Sequence, residues 1–251
     1  MQFLAFTVFA PLASWGDVAV GEMRGTWDRP SRSAVLGLVG AALGIEREDV
    51  DRQCQLADGF GVAVRVDAPG RPLTDYHTAQ TISRLNMRRS GAKTRAQMMA
   101  VPDRQTIMSQ RRYLTDSLHT ILLWARAGGV FHLDEVRAAL RSPAFCLYAG
   151  RRAAPLGLPV DPTLVEALTL ADAFQKRRPL PESLMSGIGS KLLKNGGGRE
   201  VAHDPCEGFE AALEAPLRRV TRRDQPIDRT RWLFSDRQVE FGQVPVATEG
   251  T

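Results

Sequence analysis

The stretch TWDRPSRSAVLGLVGAALG, residues 26–44, decides between two kinds of fold. A polar, basic turn with Pro30 and two serines runs into a small-residue, apolar helix over residues 33–43. Ser31 or Ser33 can cap that helix and Gly44 can stop it. The first amides of a helix have no internal partner, so such a turn can hold an anion. A nucleotide loop would need G-x-x-x-x-G-K-[ST]. Here Gly37 and Gly40 lie inside the helix and no Lys follows, so the nucleotide reading fails. The G-x-x-G spacing instead puts two positions without side chains on one face, for close packing on a sheet. The turn keeps its polar donors: Arg24, Thr26, Arg29, Ser31, Arg32 and Ser33. Amides, hydroxyls and guanidinium groups together could grip one backbone phosphate.

Outward from this helix, QFLAFTVF (2–9) is apolar almost throughout, as in a strand covered on both faces. FGVAVRVD (60–67) alternates like a strand and APGRP after it reads as a turn. SLHTILLWA (117–125) predicts a second long strand. LDEVRAAL predicts a short helix capped by Asp134 and ended by Pro143, and FCLYAG (145–150) a strand closed by Gly150. Strand, helix, strand, strand, helix, strand is the split βαβ, ferredoxin-like order, whose four-stranded sheet also underlies RNA-recognition domains. Between the second and third strands, residues 75–112 form an insertion too poor in large apolar residues to build its own core. The expectation is a projecting arm or hairpin. Beyond residue 153, TLVEALTLADAF (163–174) has helical spacing, and GIGSKLLKNGGGRE (187–200) looks mobile. LRRVTRR (217–223) and RWLFSDRQVEFG (231–242) read as strands. The fold class is therefore α+β: a βαββαβ unit over residues 1–153 with a basic insertion, then a smaller β-rich region over 154–251.

Charge points to a partner. Between Arg84 and Arg112 lie eight cations, including Arg88, Arg89 and Arg111, opposed only by Asp103. That segment carries +7, more than the +5 of the whole chain. A local positive segment on a near-neutral body is either a solvated loop or the footprint of a nucleic-acid binder. Cys54, Cys146 and Cys206 are widely spaced and odd in number, which argues against a disulfide framework and for a reducing cytoplasm. The apolar N-terminus has no Lys or Arg before Arg24, unlike a secretory signal. Its longest apolar run, Ser33 to Ile45, is too short to span a bilayer. A soluble chain without a membrane partner is expected.

Four constellations could carry chemistry. Of the histidines, only His203 lies near another ligand type, Cys206, and two ligands do not make a metal site. DYHT (75–78) places Tyr76, His77 and Thr78 together, and a Tyr–His pair could support metal-independent RNA cleavage. No Lys stands beside them to steady a pentacoordinate phosphate, so a non-catalytic role at the base of the arm is preferred. SQRRYL (109–114) and YAGRR (148–152) each set paired arginines beside a tyrosine. Arg111 with Tyr113, and Arg151 with Arg152, would suit gripping phosphate while a ring stacks on a base.

Taken in order, the motifs resemble one family. They are SWG (14–16), T-x-x-x-P-S-R-S-x-x-x-G-L (26–38), A-L-G-I (42–45) and V-R-V-D (64–67). D-Y-H-T (75–78), R-x-Y-L (111–114) and Y-x-G-R-R (148–152) follow. This set resembles the CasD family of CRISPR-associated RAMP proteins, subunits of the type I-E Cascade surveillance complex. The resemblance covers residues 1–155 well and the last third loosely. It implies a RAMP fold with a β-hairpin thumb, no cofactor, and a non-catalytic role in capping the 5′ handle of the CRISPR RNA (crRNA). It implies the Cascade backbone subunits and the large PAM-reading subunit as partners, with target DNA met through the complex. Handle contacts would fall on the Arg24–Ser33 turn, Tyr76–Thr78, Arg111 and Arg151–Arg152. The alternative is a metal-independent endoribonuclease acting on precursor crRNA, as in the related type I-C branch. The arm here is long and lacks aromatic residues, a departure from the family pattern.

Overall fold

A computed structural model describes residues 1–16, 21–102, 104–193, 198–228, 230–231 and 233–246. In chain order it holds β1 (Gln2–Ala13), β2 (Met23–Arg24), α1 (Arg32–Ala42), α2 (Val50–Gly59) and β3 (Phe60–Ala68). Then come β4 (Arg71–Ile82), α3 (Arg84–Ser90), α4 (Arg95–Ala100), β5 (Arg104–Ala125) and α5 (Leu133–Arg141). The rest comprises β6 (Thr163–Glu166), α6 (Leu170–Lys176), β7 (Glu200–His203), β8 (Glu214–Asp228) and β9 (Leu233–Gln243). The sheet runs β6-β1-β5-β3-β7-β9-β8, with β2 and β4 also pairing with β5. Every pairing is antiparallel except β2 with β5. The chain is thus a mixed α/β structure on a largely antiparallel sheet, as the sequence leads one to expect.

Apolar runs that do not alternate are explained by burial on both faces. Leu4, Phe6 and Val8 of β1 join Val62, Val64, Ile121 and Leu123 in a core closed by α1, α2 and α5. Phe3 and Ala5 face the other way, with Ala63, Leu122 and Trp124, against α6. Helix α1 starts where expected, Ser31 accepting a hydrogen bond from the Ala34 N–H at 3.3 Å. Gly40 approaches Leu56 of α2 rather than the sheet, and Gly37 is only half-buried.

Three local expectations are corrected. Residues 145–150 form no strand: the stretch is a loop with one isolated bridge, Tyr148 to Pro155, and leaves Phe145 46% exposed. The place beside β1 goes to Thr163–Glu166, where Leu164 packs into one core and Val165 into the other. The helix expected over 163–174 therefore starts only at Leu170, capped by Thr169. Strand propensity at Thr163 and Val165, together with two-sided burial, outweighs the helical spacing. Asp134 does not cap α5. His132 holds the cap position, and Asp134 in the first turn pairs with Arg137 at 2.7 Å. Of the stretch expected to be mobile, residues 187–192 are helical, and residues 194–197 lie outside the described residues.

The insertion is a ribbon. β4 pairs with β5 from Arg71↔Thr115 to Ile82↔Arg104, and α3 and α4 sit at its tip. Ser83 caps α3, and Thr94 with Gln97 makes a capping box for α4. Neither helix contains a buried residue, and only Ile82 and Ala92 are buried around them among the described residues, so the tip rests mainly on local hydrogen bonding. Among the described residues, no helix is long and apolar enough to cross a membrane.

Candidate nucleic-acid interface

Where the ribbon leaves the sheet, three separate segments converge. β2 runs parallel beside β5 so that Arg24 registers with Arg111, and Asp75 of β4 registers with Arg111 from the other side. Arg151 reaches in from the loop after Tyr148. Its guanidinium lies 4.7 Å from the centre of the Tyr113 ring and donates to the Arg24 carbonyl at 3.3 Å. Gly150 makes this approach possible: its φ is +82°, and a Cβ there would fall 1.8 Å from the Ser14 carbonyl oxygen. Arg24, Arg111, Tyr113 and Arg151 thus form one basic, ring-backed patch, with exposed Arg152 beside Arg151. Thr26 stands behind it, its hydroxyl accepting from the Trp15 N–H at 2.8 Å.

The remaining arginines of the turn point inward. Arg29 is 2% exposed and pairs with Asp28 at 2.6 Å and Glu200 at 3.2 Å. Burial would raise the Asp28 carboxyl, but the hydrogen bond and charge of Arg29 outweigh it and hold it below the usual range. Arg32, also 2% exposed, donates to Asp204, to the Ala57 carbonyl and, at 2.8 Å, to Gln225. Burial brings its guanidinium down to about 10, still protonated at neutral pH. The Arg32 backbone N–H donates to the Asp224 carboxylate at 3.0 Å. The anion at the start of α1 is therefore supplied by the chain itself. Ser31 caps the helix and lies 3.0 Å from the Ser33 hydroxyl. Asp204 gathers this region, accepting also from Arg237 at 2.6 Å, Arg126 at 3.2 Å and the Val62 N–H at 3.0 Å.

Tyr76 and His77 are neighbours in sequence but not in space. Successive strand residues face opposite ways. His77 shares a face with Asp75, whose carboxylate its Nε2 contacts, whereas Tyr76 (65% exposed) and Thr78 face the other side. Arg88 and Arg89 occupy the last turn of α3, exposed at the far tip and away from the Arg24–Arg151 patch. His203 Nδ1 lies 3.8 Å from the Cys206 thiol, and burial pushes that thiol up to about 12. Among the described residues, no three His, Cys, Asp or Glu side chains converge as metal ligands would.

The model of the CRISPR-associated protein (Cas5) family matches residues 3–240. The chain belongs to this family. It is 31% identical over 167 residues to the CRISPR system Cascade subunit CasD of Escherichia coli K12, covering 63% of this chain and 69% of the relative. A chain of a solved CRISPR RNA-guided surveillance complex superposes with a TM-score of 0.59 at 26% identity, over 98% of this chain and 92% of that one. A crystal structure of a Cas protein shares the fold at a TM-score of 0.53 and 23% identity, over 97% and 95% of the two chains. On this Cas5-family chain, sequence reading passed over Trp27, which is 38% exposed and stacked under Arg222 at 4.4 Å. It also passed over Asp204 and Asp224, which claim Arg32. Each lies more than 170 residues from Arg32, and no local pattern marks them.

Proposed function

We propose that this chain is a non-catalytic crRNA-binding subunit of a type I-E-like Cascade complex, capping the 5′ handle of the guide RNA. The observation that carries the reading is the junction of Arg24, Arg111, Tyr113 and Arg151 at the base of a basic ribbon. Guanidinium groups there would take successive phosphates, with the Tyr113 ring, 7% exposed beneath Arg151, backing that grip rather than receiving a base. In this reading β1, α1, β3, β5, α5 and β6 are the ferredoxin-like unit, with strands in the order fourth, first, third, second. The ribbon is its thumb, with Arg88 and Arg89 at the tip and Tyr76–Thr78 along its length. Arg29, Ser31, Arg32 and Ser33 shape the turn that presents Arg24 and Thr26. Residues 1–153 supply most of the RNA surface, and residues 154–251 brace it. The partners are the Cascade backbone subunits and the large PAM-reading subunit, with target DNA reached through the complex in the cytoplasm.

Cleavage is disfavoured because Tyr76 and His77 face opposite sides of the ribbon and cannot act on one phosphodiester as acid and base. Purified protein should bind a single-stranded RNA carrying the repeat-derived handle about tenfold more tightly than an RNA of equal length without it. The RNA should remain intact in EDTA. Equal affinities would overturn handle recognition, and a product ending in a 2′,3′-cyclic phosphate would overturn the non-catalytic assignment.

A further inference from the structure

The junction of Arg24, Arg111 and Arg151 has cations for phosphates, but its own ring, Tyr113, is covered by Arg151. A larger ring stands next to it. Trp27 is exposed, whereas Trp15 and Trp124 are buried. The strap of residues 14–16 sets its place. The Trp27 N–H donates to the Trp15 carbonyl at 3.1 Å, and the Trp15 N–H donates to the Thr26 hydroxyl at 2.8 Å. From the same strap, the Ser14 N–H donates to the Ala149 carbonyl at 3.0 Å, two residues before Arg151. Arg151 in turn binds the Arg24 carbonyl. One short strap therefore holds the turn of Trp27 and the loop of Arg151 side by side.

The ring itself is fixed. The Arg222 guanidinium lies 4.4 Å from its centre and 5.5 Å from the centre of the buried Phe241 ring, so it ties Trp27 to the core. A side chain held in this way loses little freedom when a second flat group settles on it. Of the other open rings nearby, Tyr76 lies on the ribbon face opposite Arg111. Tyr148 is held by no ring or cation among the described residues. The charges around Trp27 favour a base over a phosphate. Asp28 beside it is half-exposed at its side chain, and Arg222 is engaged with the two rings. A phosphate would meet the carboxylate, whereas a nucleobase would meet the ring.

We propose that Trp27 is the platform on which one unstacked nucleobase of the bound single-stranded RNA stacks, while Arg24, Arg111 and Arg151 hold the neighbouring phosphates. This rests on the crRNA-binding reading and adds to it the contact that takes a base. Every base has a flat face, so the platform selects for stacking strength, with purines ahead of pyrimidines, and not for a hydrogen-bonding edge.

The test uses the full chain and handle-bearing single-stranded RNA in which each nucleotide in turn is made abasic. Trp27→Ala should bind the intact RNA about tenfold more weakly, with an unchanged salt slope because no phosphate contact is lost. At one abasic position the parent chain should fall to the affinity of W27A, and W27A should lose nothing further there. Trp27→Leu keeps apolar bulk on Arg222 without the flat face and should lose as much as W27A. Trp27→Phe should stay within about threefold of the parent. A leucine variant that binds as tightly as the parent would overturn the proposal and leave the crRNA-binding reading standing. So would variants weakened by one common factor on every abasic RNA, the mark of a merely structural tryptophan. A parent chain without affinity for the intact RNA would overturn both.

Discussion

At the scale of single residues, what separates the arginines of the 24–33 turn is their partners rather than their type. Arg29 and Arg32 are ion-paired inside, whereas Arg24 stays exposed on β2 beside Arg111. The sequence shows the cluster and its Asp28 neighbour, but the carboxylates that claim Arg32 arrive from residues 204 and 224. Long-range pairing of this kind leaves no local pattern. His119 is a second case. It is fully buried, 3.1 Å from the Asp28 carbonyl, with its ring edge-on to Trp15. Burial pushes its imidazole from the ordinary 6.5 down to about 4. Between those values the unfolded chain takes up a proton that the folded chain refuses. Stability is therefore lost as pH falls, by up to about 1.4 kcal/mol per unit from this group. His203, also lowered by burial, acts in the same direction. Tm should be level above pH 7 and drop between about pH 6.5 and 4.5, and His119→Gln should flatten part of that drop. A profile unchanged by the substitution would contradict this account of the burial.

At the scale of elements, the ribbon was legible because length, charge and poverty in apolar residues all pointed one way. Its strands and tip helices were not, since their pairing is set across the ribbon by register rather than by core contacts. The same weakness misled the reading of 145–150 and 163–174, where an edge position beside β1 is contested and only two-sided packing decides it. Because Ile82 registers with Arg104, the 21 residues between them can be replaced by Asn-Gly, which closes a two-residue hairpin. Tm should change by less than about 2 °C, since Ala92 is the one buried side chain among the described residues removed. RNA affinity and its salt dependence should both fall. Retained affinity would remove the tip from the binding surface. The Asp204 hub is the opposite kind of element. Asp204→Asn leaves Arg32, Arg126 and Arg237 facing a neutral group in a site where Asp204 is 1% exposed. The expected cost in chemical denaturation is about 3–5 kcal/mol. A loss below about 1 kcal/mol would show that the network does not hold the C-terminal strands in place.

At the scale of the whole molecule, a sheet covered on both faces forms the body, and a basic ribbon leaves it at a junction of three segments. The alternation of helices with strands on a largely antiparallel sheet, and the basic charge of the insertion, were readable from apolar runs and composition. The junction itself was not, because Arg24, Arg111 and Arg151 meet only through a parallel strand pairing and a glycine turn. That junction is where the account places RNA, and it is tested most directly by reversing its charge. Binding of handle-bearing RNA is measured over a range of salt for the parent chain and for Arg111→Glu with Arg151→Glu. Arg178→Glu with Arg223→Glu serves as a control of equal charge at exposed sites elsewhere. The account predicts at least a tenfold loss of affinity for the junction variant and a salt slope shallower by about 1.4, two phosphate contacts on a single strand. The control should lose less than about threefold. Equal losses in the two variants, with both proteins folded, would contradict it.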